Sequence, residues 1–232
     1  MRNRLIAAAL AAIALATWLG SVPVAEQENT AGTSVRQRQV KELREGGFAA
    51  AAAVTGSYIG GALPADLGSP ASLRALVSSS EQIVVATVTS NRAYLTRDGH
   101  SILTHYAAGV GEVLKGTLSV SSEVSLVVPG GRVGFSDGSW AQLDLGGFIR
   151  PSDGESYVLF LRDARTLYRR ETAIGMHSYV PMFGPLGVYH LKDDGGLVIP
   201  AGNLKSALAR SLVRARLTTS SFISEIKALL NQ

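Results

Sequence analysis

Ile83-Val84-Val85-Ala86-Thr87-Val88-Thr89, Thr104–Leu114 (THYAAGVGEVL), Val124–Val128 (VSLVV) and Tyr157–Leu161 (YVLFL) decide the fold. Each run is rich in β-branched or aromatic residues, which pack well on a pleated surface. Each is bounded by Gly, Pro, Asn, Asp or Ser, residues that turn the chain. The intervals between the runs are short, so the strands are expected to be antiparallel neighbours rather than the alternating partners of helices. That predicts a mainly β fold: a small antiparallel barrel of the oligonucleotide/oligosaccharide-binding (OB) type, or a small sandwich, with a short N-terminal helix and C-terminal helices.

Working outward, Asp98-Gly99 is a hairpin signal between the first run and the second, which extends from about Ile102 to Leu114. Gly109 and Gly111 mark a bend or bulge in that long strand. Pro129-Gly130-Gly131 ends the third run, and a glycine-rich loop containing Trp140 follows. Leu167–Arg170 reads as a further strand. Gly187–Lys192 (GVYHLK) and Leu197–Ile199 read as a last hairpin across Asp193–Gly196.

The flanks differ in character. Arg2 and Arg4 precede an apolar run, Leu5–Leu19, interrupted only by Thr17, and small residues follow. This is the pattern of a secretory signal over Met1–Ala25. The uncharged stretch Leu5–Ala25 also reaches the roughly 20 residues a spanning helix needs, so an uncleaved anchor is the alternative. Glu26–Gly68, with its charged piece and its Ala/Gly tract, reads as a flexible linker without an apolar stripe to dock it. Ser69–Gly202 is the β-domain, entered through a short helix that Ser69 caps and Pro70 begins, with Leu73, Leu76 and Val77 on one face. Asn203–Gln232 is helical in two parts, broken at Thr218–Ser221. Phe222, Ile223, Ile226, Leu229 and Leu230 form a helical stripe that docks on the β-domain.

Composition narrows the function. The chain has 232 residues and no cysteine, so its core is held without disulfides and no thiolate can attack or bind metal. The net charge is +4, of which Arg2 and Arg4 supply two. The remainder is too small and too scattered for a nucleic-acid partner. The expected setting is outside the cytoplasm, periplasmic or extracellular, with an inner-membrane tether only if Leu5–Ala25 stays uncleaved.

The order IVVATVTS, a long strand ending Glu112-Val113-Leu114-Lys115-Gly116, the Pro129-Gly130-Gly131 turn, and Gly154-Glu155-Ser156-Tyr157-Val158-Leu159-Phe160-Leu161 resembles an uncharacterised group of exported bacterial β-domains. The same order is more distantly similar to netrin-like modules and tissue inhibitors of metalloproteinases, which are OB-type barrels. That resemblance implies a fold only. The inhibitors depend on disulfides and on an N-terminal cysteine that coordinates zinc. Inhibition by that route does not carry over to a cysteine-free chain.

Chemistry is thinly written. Gly134-Phe135-Ser136-Asp137-Gly138 matches the G-x-S-x-G spacing of a nucleophile elbow, but the following Trp140–Leu145 alternates like a strand, where an elbow needs a helix. Ser136 is therefore the nucleophile of an alternative reading only, a serine hydrolase with His105, His177 or His190 as base and Asp144 as a possible third member. Ser224-x-x-Lys227 lies in the terminal helix and reads as helix surface. The four histidines, His100, His105, His177 and His190, show no H-x-x-x-H or H-E-x-x-H spacing, so no metal and no cofactor is expected. Pro129–Arg132 presents an arginine beside free amides, and the Tyr179–Pro185 loop is apolar and proline-rich. Arg132, Trp140 and Phe183 are thus the candidate binding residues, Trp140 and Phe183 as aromatic anchors of one lip. The expectation is a non-catalytic module that binds a protein or small molecule in the cell envelope. A membrane-tethered structural protein is the other alternative.

Overall fold

The computed structural model describes residues 24–62, 70–145, 150–168, 175, 177–192, 199–200, 207–215 and 217–232. In chain order its elements are helix α1 (Val24–Ala53), strand β1 (Ser57–Ala62), helix α2 (Leu73–Ser79), and strands β2 (Gln82–Leu95), β3 (Ile102–Lys115), β4 (Glu123–Pro129), β5 (Gly131–Gly134), β6 (Trp140–Leu145), β7 (Ser156–Asp163), β8 (Ser178–Pro181), β9 (Val188–Leu191) and β10 (Ile199–Pro200). Helices α3 (Ala207–Ala215) and α4 (Thr219–Leu230) follow. The fold is mainly β, as the four apolar runs predict, and each run lies within a strand.

Two sheets form. The larger has the order β10-β9-β7-β2-β3-β4-β8, and β7 also pairs with β8. One edge of β7 is shared: Ser156–Leu159 bond to β9, and Leu161–Asp163 bond to β8. The pairings β2-β3-β4-β8-β7 therefore lead back to β2. The sheet is not purely antiparallel, because β4 and β8 run parallel through Ser125↔Ser178 and Leu126↔Tyr179.

Alternation sorts the side chains of these strands. Val84, Ala86 and Val88, Tyr106, Ala108 and Val110, Val124, Leu126 and Val128, and Tyr157, Leu159 and Leu161 point to a common interior and are all buried. Ile83, Val158 and Phe160 point outward, together with Tyr189 and Leu191 of β9. They are covered by Leu73, Leu76 and Val77 of α2, Leu208 and Leu212 of α3, and Phe222 and Ile226 of α4. The Phe160, Tyr189 and Phe222 rings meet at centroid distances of 5.0–6.4 Å. The C-terminal stripe is thus a docking face, and each such buried side chain is worth about 1.5–3 kcal/mol relative to exposure. Lys115 Nζ donates to Val77 O (2.8 Å) and Ser78 O (3.2 Å), satisfying carbonyls at the end of α2.

The smaller sheet has the order β1-β6-β5, with β1 parallel to β6. Here the structure corrects the linker expected over Glu26–Gly68. Residues 24–53 are helical apart from a break at Gly47, and 57–62 form β1. Phe48, Ala51, Ala52 and Tyr58 are buried against Ile102, Ala141 and Leu143. The physical reason is that alanines give α1 a flat face on which a sheet can lie close, without a conspicuous apolar stripe. Helix α1 also protects an edge strand. Gln39 Nε2 donates to Ser57 O (2.9 Å) and Arg36 Nη1 to Ile59 O (3.3 Å), so carbonyls on the outer edge of β1 are taken.

Smaller departures have local causes. Helix α2 starts at Leu73 because Ser72, not Ser69, accepts the Ala75 N–H (3.2 Å). Residues 164–166 make a 3-10 turn capped by Asp163, and Leu167 and Tyr168, where a strand is expected, follow it without strand pairing; Arg169 and Arg170 lie outside the described residues. The Asp193–Gly196 turn, like Met1–Pro23, also lies outside them. Helix α4 begins at Thr219, with Thr218 as its cap, so the break between the C-terminal helices is shorter than Thr218–Ser221. Gly111 is an extra residue between Val85↔Glu112 and Ala86↔Val110, the expected bulge, whereas Gly109 is regularly paired with Thr87.

Candidate functional site

The outer face of β2, β3 and β4 carries a chain of hydrogen-bonding side chains that sequence reasoning did not assemble. His105 sits mid-strand on β3, half-buried. Its Nε2 lies 2.6 Å from Tyr94 Oη, and its Nδ1 lies 3.1 Å from Ser125 Oγ. The Tyr94 ring meets the imidazole edge-on at 4.8 Å. Both contacts follow from register. Tyr94 pairs with Leu103, Ser125 with Ala107, and His105 with Arg92 and Val127, so the three polar residues are diagonal neighbours across three strands.

Burial holds His105 below the ordinary histidine value, because the charged ring would lose water. The neutral imidazole has one N–H and one lone pair, while both hydroxyls can donate or accept. The His105 ring can therefore give a hydrogen bond to one hydroxyl and accept one from the other, in either direction.

An apolar floor adjoins this chain. Leu103, Val127, Ala164 and Val180 are buried together, with Tyr94 and Tyr168 packed against them. Burial raises the Tyr168 phenol, and the Arg162 guanidinium offsets part of that rise. Arg162 pairs with Val180, and its buried Nε has no hydrogen-bond partner among the described residues. Ser125 N–H donates to His177 O (3.0 Å), which ties the turn before β8 to the same face. Ala164 brings the start of the 3-10 turn into the floor, and the Thr96–Ser101 turn joins the strands that carry Tyr94 and Leu103.

The residues singled out from sequence fall in three places. Arg132 and Trp140 come together on the small sheet, the guanidinium carbon 3.9 Å from the ring centroid. Phe183 does not join them. It has a positive φ of 53° in the turn after β8 and packs on the Ile83/Phe160 cluster of the other sheet. The lip expected from Trp140 and Phe183 is corrected accordingly, since Met182 and Phe183 pack against the helix-covered face.

Ser136 lies exposed at the tip of the β5–β6 hairpin. Asp137 Oδ1 accepts from Ser139 N–H (2.9 Å) and Ser139 Oγ (2.7 Å), closing a turn that leads into a strand and not a helix. The elbow geometry is therefore not met. The imidazoles are committed elsewhere: His105 as above, His190 to Glu155 Oε2 (2.6 Å), and His100 to the carbonyls of Asp98 (2.6 Å) and Arg44 (3.3 Å). Asp144 accepts from Gln142 (2.9 Å) and Arg150 (2.8 Å). Among the described residues no group of three His, Asp or Glu side chains is placed to hold a metal ion. Among them, too, no helix is long and apolar enough to cross a membrane. No protein-family model matches the chain, and no curated protein matches it.

Proposed function

We propose that this chain is an exported, non-catalytic binding module built on a closed OB-like barrel, β2-β3-β4-β8-β7, and that it takes its ligand on the outer face of β3 and β4. The strand order supports the barrel: three antiparallel strands, then a parallel partner for the third, then an antiparallel return to the first. OB barrels use the face of their second and third strands, between the loops that follow the first and fourth. In this chain those loops are the Thr96–Ser101 and Ala164–Thr166 turns. The observation that carries the reading is the Tyr94–His105–Ser125 chain on that face, beside an apolar floor and the unsatisfied Nε of Arg162. A few placed polar groups on an apolar bed are what a specific ligand site requires.

Export rests on Arg2, Arg4 and the Leu5–Leu19 run. The α1 contacts to the sheet begin near Arg36 and Gln39, so removal of Met1–Ala25 leaves them intact. N-terminal sequencing of the mature chain separates a start near Glu26 from a retained tether.

The binding reading is tested by NMR titration of the protein with neutral oligosaccharides, acidic oligosaccharides and short peptides, together with fluorophosphonate labelling. The expected result is one class that shifts Tyr94, His105, Ser125 and Tyr168 together, with no covalent adduct at Ser125 or Ser136. An adduct at either serine, or no shift on this face with any class, removes the reading.

A further inference from the structure

A second surface is built independently on the small sheet. Its inner face, Tyr58, Ala141 and Leu143, is packed against α1 and the β2–β3 hairpin. Register therefore places the alternate residues outward in two rows: Ile59, Gln142 and Arg132 in one, and Ser57, Trp140 and Gly134 in the next. Ile59 is 52% exposed, unusual for so large an apolar side chain in a strand. Arg132 lies over the Trp140 ring, and a Cβ at Gly134, beside the indole, would meet nothing within 4 Å.

The polar groups of this face are arranged but not exhausted. Stacking on Trp140 fixes the plane of the Arg132 guanidinium, while among the described residues its N–H groups have no hydrogen-bonding partner. A planar fork held in this way is suited to a carboxylate. Gln142 spends its amide N–H groups on Asp144 (2.9 Å to each oxygen), which leaves its carbonyl oxygen facing out as an acceptor. Arg150 is held by Asp144 and the Leu143 carbonyl (2.8 and 3.2 Å).

We propose that this face binds an acidic glycan, with Arg132, held by its stacking on Trp140, taking a carboxylate, Ile59 offering an apolar contact, and Gln142 meeting a sugar hydroxyl. Two observations favour a glycan over an extended acidic peptide. A peptide strand would add along a free sheet edge, and on the β1 edge, beside Ile59, the Ser57 and Ile59 carbonyls are already bonded to Gln39, Thr55 and Arg36. The face also sets the Arg132 donors and the Gln142 acceptor near the exposed Ile59, a mixture that hydroxyl-rich ligands match. The proposal is independent of the β3–β4 site.

The chain contains one other tryptophan, Trp18, so a Trp18→Phe variant of the full chain makes fluorescence a report on Trp140 alone. The probes are an oligogalacturonate, the corresponding neutral galacto-oligomer and polyglutamate. The expected result is a saturable change with the oligogalacturonate, weakened roughly tenfold or more by Arg132→Gln, not recovered by Arg132→Lys, and unaltered by Tyr94→Phe. Arg132 is exposed, so neither substitution threatens folding. No change with the oligogalacturonate, an equal response to polyglutamate, or binding that survives Arg132→Gln overturns the proposal. A response abolished by Tyr94→Phe also overturns it, by assigning the ligand to the other face.

Discussion

Gly47 is where the N-terminal helix meets the β2–β3 hairpin, and replacing it tests whether that segment belongs to the fold. Its backbone has φ 75° and ψ −165°, a region that only glycine enters readily. A Cβ there would stand under 3.0 Å from the carbonyl of Gly99, the group that accepts the Phe48 N–H at 2.9 Å. Gly47→Ala thus imposes two penalties. The backbone conformation costs about 1–3 kcal/mol. Displacing Gly99 breaks a hydrogen bond beside the buried Phe48, worth about 1–3 kcal/mol when its donor is left without a partner. A loss of about 2–6 kcal/mol is expected, a large part of the roughly 5–15 kcal/mol that holds a typical domain together.

Gly56→Ala is the matched control. Gly56 has φ 80°, but a Cβ there meets nothing within 4 Å, so only the conformational part remains, about 1–2 kcal/mol. Urea unfolding of the three proteins, followed by circular dichroism, gives the two differences. Amide exchange at Phe48 locates the damage. Equal destabilisation by the two substitutions, or a Gly47→Ala protein within about 0.5 kcal/mol of the parent, would refute the docking of α1 on the hairpin.

Other outcomes follow from buried and titrating groups. Tyr189 is fully buried, its hydroxyl has no partner among the described residues, and burial pushes the phenol strongly upward. Tyr189→Phe is therefore expected to leave stability unchanged or raise it by about 1 kcal/mol in thermal unfolding, whereas a loss above that would reveal a missed partner. Phe222→Ala opens a cavity against Phe160 and Tyr189 and is expected to cost about 3–5 kcal/mol by the same measurement. The folded pKa of His105 lies below the ordinary 6.5, so its contribution to stability is full above that pH and is lost as pH falls through the folded value. His105→Gln should flatten that acid slope. The two ring nitrogens of His100 both face carbonyl oxygens, which only the charged ring can satisfy, and its pKa is raised chiefly by the Asp98 carbonyl. Its contribution is present below 6.5 and lost as pH rises through the folded value, so amide exchange at Phe48 should quicken on the alkaline side.

The strands were legible because each is a β-branched run closed by Gly or Pro, and burial then makes inward alternation obligatory. The docking of α4 was legible for a similar reason, since Phe222 and Ile226 stand one helical turn apart. Helix α1 was not. Its buried face is Ala51, Ala52 and a single Phe48, and alanine gives almost no hydrophobic signal although it permits close packing. Gly46-Gly47 also reads as a breaker, and the backbone does leave helical geometry at Gly47. The Arg132–Trp140 pair could be foreseen as neighbours, because one tight turn sets their hairpin. Phe183 could not be placed, because its loop returns to a sheet surface that only the tertiary fold creates.

The Tyr94–His105–Ser125 chain lay beyond sequence reasoning for a specific reason of register. In the first half of β2 the even residues Val84, Ala86 and Val88 point inward. Continued without interruption, that alternation would send Ser90, Arg92 and Tyr94 inward too. Thr89 prevents it, being the extra residue between Val88↔Ala108 and Ser90↔Ala107. A one-residue bulge exchanges the two faces of everything beyond it. Arg92 and Tyr94 are thereby turned out beside His105 and Leu103, while Asn91 takes the register position of the inward Tyr106. Nothing in Val88-Thr89-Ser90 marks the bulge, and both alternations are equally plausible for a strand whose second half is polar. The same extra residue that hides this arrangement from a reader of the sequence is what creates it: it exchanges the two faces of β2 beyond Val88 and so brings Tyr94 out beside His105.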